Sequence, residues 1–189
     1  HKETSKVRVA SARAGNVIGG GDWAAARIVP DCVKAWSIDS QVLLRNPHST
    51  RPWQHVLEPL SGYLTLAIAL YQRPEIHGEP FNFGPQAQQN HSVLELVEEM
   101  ALHWAKVRWQ DVSDSPAGPY ESDLLKLNCD KALHHLNWRA VMGFEETVKM
   151  TAEWYRSYYQ EPSSIGATTE AQIKQYTTLA KQQRLKWTE

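Results

Sequence analysis

Four glycines fall within seven residues of the run Arg13-Ala14-Gly15-Asn16-Val17-Ile18-Gly19-Gly20-Gly21-Asp22-Trp23, directly after a stretch of strand character, Val7 to Ser11. A strand that runs into an Asn and a triple Gly ends in a loop whose backbone can come close to a ligand, because Gly has no Cβ to hold a neighbour off. The chain that follows must therefore build around a strand–loop–helix unit with its loop turned to a cleft.

The rest of the sequence alternates strands and helices. Val7–Ala12 reads as a strand, Gly15–Gly21 as a loop, and Ala24–Ser37 as a helix with Pro30 tolerated in its first turn. Gln41–Arg45 is a short strand, Asn46–Pro52 a turn-rich loop, and Val56–Gln72 an apolar helix with Leu60, Tyr63, Leu64, Ala67, Ile68 and Tyr71 at helical spacing. Pro80–Gly84 reads as a strand. Ser92 with Glu95 makes a capping box for a helix whose apolar face is Val93, Leu96, Val97 and Met100. Beyond it come a strand over Val107–Val112, a loop over Ser113–Pro119, a strand over Leu124–Leu127, a short helix capped by Asp130, and a helix from Phe144 to Tyr159. Glu161–Thr168 reads as a linker and Thr169–Gln183 as a polar terminal helix. Alternation of this kind is α/β. Long apolar strands are few, so a broad open sheet is not supplied by this chain alone.

The balance of residues removes several classes. A net charge of -1 gives no electrostatic footprint for nucleic acid or an anionic membrane surface. No apolar run approaches the roughly 20 residues that span a bilayer. The opening residues carry no signal-peptide pattern. Cys32 and Cys129 stand far apart, with no metal-type spacing and no disulfide framework, which fits a reducing cytoplasm. Of the 8 tryptophans, Trp36, Trp104, Trp138 and Trp154 fall in helix-like patterns and read as core, while Trp23 and Trp53 sit beside Gly and Pro as candidates for lining a cleft.

Three positions point to one chemistry. Asn16 presents an amide at a strand end. Arg27-Ile28-Val29-Pro30 opens a helix whose free N–H groups and dipole favour an anion. Arg51 places a guanidinium fork just before the next helix, and a planar fork suits phosphate oxygens. Together they describe a diphosphate cradle. Taken singly, Arg51 reads as a surface ion-pair residue, Asn16 as a turn residue, Arg27 as solvated, Gly19–Gly21 as a flexible loop and His55 as a hydrogen-bonded structural histidine. The dinucleotide fingerprint Gly-x-Gly-x-x-Gly is absent from the sequence, as are Gly-x-Ser-x-Gly, His-Glu-x-x-His and a Walker loop. No Tyr has a Lys four residues on. No catalytic residue and no metal ligand can be named.

The order of these segments resembles CDP-glucose 4,6-dehydratases, which are extended short-chain dehydrogenase/reductases acting on nucleotide sugars. The likeness runs through Ala12 to Trp23, Arg27-Ile28-Val29-Pro30-Asp31, Arg45-Asn46-Pro47-His48, Thr50-Arg51-Pro52-Trp53-Gln54-His55-Val56-Leu57-Glu58-Pro59-Leu60, Phe81-Asn82-Phe83-Gly84-Pro85, Leu124 to Cys129, and Trp138 to Tyr155. Asn137 replaces the usual Gly of the late pattern, and Tyr120 stands where the family has His.

The resemblance implies a fold and a set of roles. The fold would be the carboxyl-terminal portion of an NAD(P)-binding Rossmann-fold enzyme: late sheet strands plus a small mixed α/β substrate lobe, interleaved over residues 1–160, then a linker and helix over 161–189. Asn16 would contact the sugar diphosphate, the N–H groups of Arg27 and Ile28 would meet phosphate, and Arg51 would bind the diphosphate. Leu43, Leu44 and Arg45 would run along the cytosine, largely through backbone groups, and Glu121 would lie near the nucleotide. Ala14 and Gly15 would approach the nicotinamide of NAD in an intact parent. The family abstracts hydride from C4 to NAD+, eliminates water across C5 and C6, and returns hydride to C6. The expectation is a cytoplasmic protein that by itself binds CDP-glucose weakly at best, turns none over and holds no NAD tightly, and that pairs with a missing N-terminal half or with a second copy. A self-associating binding protein and another nucleotide-sugar epimerase or dehydratase are the alternatives.

Overall fold

The computed structural model describes residues 7–86, 88–113 and 126–188. Its first segment is a nearly continuous extended run, β1 (Ser11–Ala14) and β2 (Asn16–Ile18), that changes partner at Gly15. β1 lies parallel to β6 (Pro80–Phe83), whereas β2 lies parallel to β5 (Trp53–His55) with Asn16 opposite Trp53. The Gly15 N–H extends the first ladder by bonding the Phe83 carbonyl at 3.1 Å. A Cβ at Gly15 would sit 2.9 Å from the Pro52 carbonyl, so the switch between partners needs a residue without one.

The remaining elements follow in order. α1 (Ile28–Ser37) leads to β3 (Val42–Leu44), then β4 (Thr50–Arg51), β5 and α2 (Leu57–Gln72). After β6 come β7 (His91–Ser92), α3 (Val93–Ala101), β8 (Trp109–Asp111), α4 (Asp130–Leu136), α5 (Phe144–Gln160) and α6 (Ile165–Gln182). β3 pairs parallel with β8, and β4 antiparallel with β7. The strands thus form parallel pairs plus one antiparallel bridge, an α/β arrangement.

Several expected boundaries move, each for a physical reason. The first strand begins at Ser11 rather than Val7, because Val9 bonds the 77–78 turn instead of a strand. β2 lies inside the stretch expected to be loop, and β4 inside the turn-rich stretch before Pro52. α1 starts at Ile28, not Ala24, since Ala26 takes a positive φ of 60° that a helix cannot continue. Asp130 is the first helical residue of α4 and not its cap. Pro162–Ser164 forms a 3-10 turn that leads straight into α6, so the helix opens four residues earlier than its sequence suggests. The Ser92–Glu95 capping box forms with both bonds, Glu95 N–H to Ser92 Oγ and Ser92 N–H to Glu95 Oε2. Of the strand expected at Leu124–Leu127, residues 124 and 125 lie outside the described residues.

The apolar residues gather into three cores. The first joins α1, α3 and α5 to β2, β3 and β5 through Val33, Trp36, Leu96, Met100, Val148 and Tyr155. The second packs Phe81 and Phe83 of β6 against α2, α4 and Trp138. The third seats α6 on α5 through Met150, Tyr176 and Ala180. Trp36 and Trp138 are buried as expected, and Trp104 and Trp154 pack half-buried against the first core.

Two buried titratable groups flank the start of α2. The Glu58 carboxylate accepts from the N–H groups of Val141 (2.8 Å) and Met142 (2.7 Å) and from the Tyr176 hydroxyl (2.9 Å). Tyr176 also meets the Ser61 hydroxyl, to which the Trp138 indole N–H donates. One acid therefore ties α2 to the 141–142 backbone and to α6. Burial pushes its carboxyl up to about 7 against those three donors. His55, 2% exposed, is pushed down to about 4 by burial, and its Nδ1 accepts the Leu57 N–H at 3.3 Å. Among the described residues no helix is long and apolar enough to cross a membrane.

Candidate functional site

A cleft of about 790 Å³ opens between the end of β2, the mouth of α1, β3 and the β4 strand. That volume suits a nucleotide-sized ligand. Ala14, Gly15 and Asn16 line it from the partner switch; Arg27 and Ile28 from the helix mouth; Leu43, Leu44 and Arg45 from β3 and its exit; and Arg51 from β4. Nine of the ten residues singled out in the sequence thus share one concavity. The tenth, Glu121, lies outside the described residues. Trp53 also lines the cleft, though as a buried residue of β5 and not in a loop. Trp23, the other tryptophan expected there, packs on Tyr155 and Tyr158 instead.

Local sequence sets each position. Asn16 is fixed by its pairing opposite Trp53, which leaves its side chain at the cleft wall. Arg27 is the extended N-cap of α1, and its side chain makes no capping bond. Among the described residues the first-turn N–H groups have no intrahelical or side-chain acceptor, and they carry the positive end of the dipole. Pro30 removes one donor from that turn at no cost to the helix. β4 holds Arg51 opposite His91, and the guanidinium gives one bond to the Thr50 carbonyl at 2.8 Å.

The charges at the cleft are three arginines, Arg27, Arg45 and Arg51, against two aspartates, Asp22 and Asp31. Asp22 is one of the cleft residues that sequence reasoning did not single out. Its carboxylate takes the Arg27 guanidinium at 3.1 Å and the Ala24 N–H at 3.0 Å, and its carbonyl accepts the Tyr155 hydroxyl at 2.6 Å. The Tyr155 bond ties the glycine-rich loop to α5. Gly20 completes that seam, because a Cβ there would lie 1.9 Å from the Trp154 ring. Gln41 and Asn46, flanking β3, also reach the cleft; Gln41 carried no sequence signal beyond its place beside a strand, and Asn46 only its place in the Arg45–His48 run.

The arrangement has the donors to bind an anion, and among the described residues that line it there is no nucleophile. Cys32 lies on the buried face of α1, and burial pushes its thiol up, away from the reactive thiolate. Among the described residues no group of three or more His, Cys, Asp or Glu could hold a metal ion.

The chain is 42% identical over 157 residues to CDP-glucose 4,6-dehydratase of Salmonella typhimurium, a match covering 82% of this chain and 43% of that protein. It is 27% identical over 125 residues to human GDP-mannose 4,6 dehydratase, covering 56% of this chain and 32% of that one. Among solved structures, UDP-glucose-4-epimerase from Stenotrophomonas maltophila, with bound NAD and formylated UDP-arabinopyranose, superposes with a TM-score of 0.67 at 20% identity, over 81% of this chain and 49% of the other. dTDP-glucose 4,6-dehydratase from Bacillus anthracis, in complex with NAD, gives 0.61 at 18% identity, over 80% and 46%. No family model matches. The chain is a partial homologue of CDP-glucose 4,6-dehydratase, spans less than half the length of the curated relatives it matches, and shares the fold of part of the nucleotide-sugar epimerases and dehydratases.

Proposed function

We propose, from this homology and from the cleft, that the chain supplies the nucleotide-sugar-binding part of a CDP-glucose 4,6-dehydratase-type enzyme. The observation that carries the reading is the convergence of Asn16, the uncapped mouth of α1 and Arg51 on one concavity. A diphosphate seated there meets a carboxamide, open helix N–H groups and a guanidinium at once. The pyrimidine lies along Leu43, Leu44 and Arg45, and the hexose points toward Ala14 and Gly15. In the parent reaction the sugar is oxidised at C4, loses water across C5 and C6, and is reduced at C6. This chain's share of that sequence is to bind and orient the substrate.

The residues present do not fit a dinucleotide on their own. Ala14 and Gly15 give one wall, and the sequence carries neither a glycine fingerprint for the pyrophosphate of NAD nor a Tyr-x-x-x-Lys pair. No chemical step is therefore assigned to the chain. The outward face of α2 supports the same view. Leu60, Leu64, Ile68 and Tyr71 follow one another at helical spacing and are 46%, 68%, 57% and 85% exposed. A helix apolar on its outer face as well as its inner one belongs in an interior. In the working enzyme that face lies against a cofactor-carrying half.

Titration calorimetry with CDP-glucose, and with UDP- and GDP-sugars as controls, tests the reading. Arg51→Ala is expected to weaken CDP-glucose binding about tenfold to a hundredfold, the usual worth of a charge-assisted hydrogen bond. Unchanged affinity in both Arg51→Ala and Asn16→Ala, or no binding of any CDP compound, refutes it.

A further inference from the structure

Cytosine and uracil present the same ring and the same O2 carbonyl, and differ at position 4 and N3. Position 4 is an amine that donates in one and a carbonyl that accepts in the other. A donor such as Arg45 can meet the shared O2 of either base, and the Leu43 and Leu44 side chains are apolar. Discrimination by a side chain requires an acceptor held at the base. Gln41 opens the strand along which the proposed pyrimidine lies and lines the cleft, while Gln110 stands behind it on β8 and does not. The β3–β8 register sets Leu43 opposite Gln110, and the Gln41 Nε2 donates to Gln110 Oε1 at 3.2 Å. That bond, between two exposed side chains, engages the amide by its nitrogen. Among the described residues Gln41 Oε1 has no partner, so an acceptor is left for the ligand.

Resting on the reading of the cleft as a nucleotide site, we propose that Gln41, oriented by Gln110, is the specificity-determining residue that selects an aminopyrimidine over a dioxopyrimidine. Its carbonyl oxygen accepts from the exocyclic amine of cytosine and faces the O4 carbonyl of uracil with like polarity. Gln110 is a positioning residue and touches no ligand.

Calorimetric titration of the full chain with CDP and with UDP tests this. The wild type is expected to prefer CDP by roughly tenfold, the scale of one well-made hydrogen bond against a mismatched one. Gln41→Ala brings the two affinities within about twofold by weakening CDP and leaving UDP unchanged. Gln41→Glu keeps an acceptor at that position and retains the preference for CDP. Gln110→Ala frees the amide to turn and narrows the preference through a gain in UDP affinity. A CDP-to-UDP ratio that is the same in wild type and Gln41→Ala overturns the proposal, as does a wild-type preference for UDP. If in that case both nucleotides still lose affinity in Arg51→Ala, the cleft reading stands and only the role of Gln41 falls. Absence of binding by either nucleotide removes the cleft reading and this proposal with it.

Discussion

Glu58 and His55 lie three residues apart, are both buried, and are displaced in opposite directions, so their effects on stability oppose each other over the same pH range. The Glu58 carboxyl titrates near 7 in the fold against 4.5 for the free group, because burial outweighs its three donors. The folded chain keeps a proton that the unfolded chain has released. The associated stability is present in full below 4.5 and is lost as pH rises through 7, about 3 kcal/mol in all. The His55 imidazole titrates near 4 in the fold against 6.5 when free, again through burial. Here the unfolded chain takes up a proton that the folded chain refuses. Stability is full above 6.5 and falls by about 3 kcal/mol as pH drops toward 4. Between 4.5 and 6.5 the two slopes nearly cancel.

Two substitutions should separate them. Glu58→Gln keeps an acceptor for the Val141 and Met142 N–H groups but removes the titration, so stability should climb with pH by about 1 kcal/mol per pH unit as His55 alone dictates. His55→Gln should give the mirror image, a decline of similar slope, and the double variant should be flat again. Urea unfolding followed by tryptophan fluorescence from pH 4.5 to 7.5 reads all four profiles, with 8 tryptophans as reporters. Asp39, Glu79, Glu95 and Asp111 are all held low by hydrogen bonds, from Arg108, Lys131, Ser92 and Ser113 respectively, so their losses fall below this window. If the Glu58→Gln profile runs parallel to the wild type, the carboxyl is ionised throughout and the three donors, not burial, control it.

Two further outcomes follow from packing. Gly20→Ala drives a methyl into the Trp154 ring, 1.9 Å from the added carbon, and should destabilise the fold by about 1–3 kcal/mol in a thermal melt; an unchanged midpoint would show that the glycine-rich loop is not seated on α5. Leu64→Glu with Ile68→Lys places charge on the outward face of α2, where both side chains are more than half exposed, and should leave the melting temperature unchanged. A fall in melting temperature would mean that this face is part of the chain's own core.

The parts of this protein that could be read from its sequence are those whose physics is local. The capping box of α3 needs only Ser92 and Glu95, and the burial of Trp36 needs only its helical neighbours. The cleft was legible for a related reason: anion binding uses a short vocabulary of residue types, and Asn16, Arg27 and Arg51 each stand at the end of an element where that vocabulary has meaning. What escaped depends on partners far along the chain. β2 is three residues of strand in a glycine run, and nothing near it announces β5 as its partner. Glu58 is a lone acid in an apolar helix, which in sequence looks the same whether it meets water or the N–H groups of residues 83 and 84 positions away. Gln41 becomes more than a polar residue at a strand end only once β8 lies beside β3. Long-range pairing also explains why these polar residues were unremarkable in the sequence. A buried apolar residue declares itself through spacing, but a polar one acquires its role from the single group it is set against, and that group is chosen by the fold.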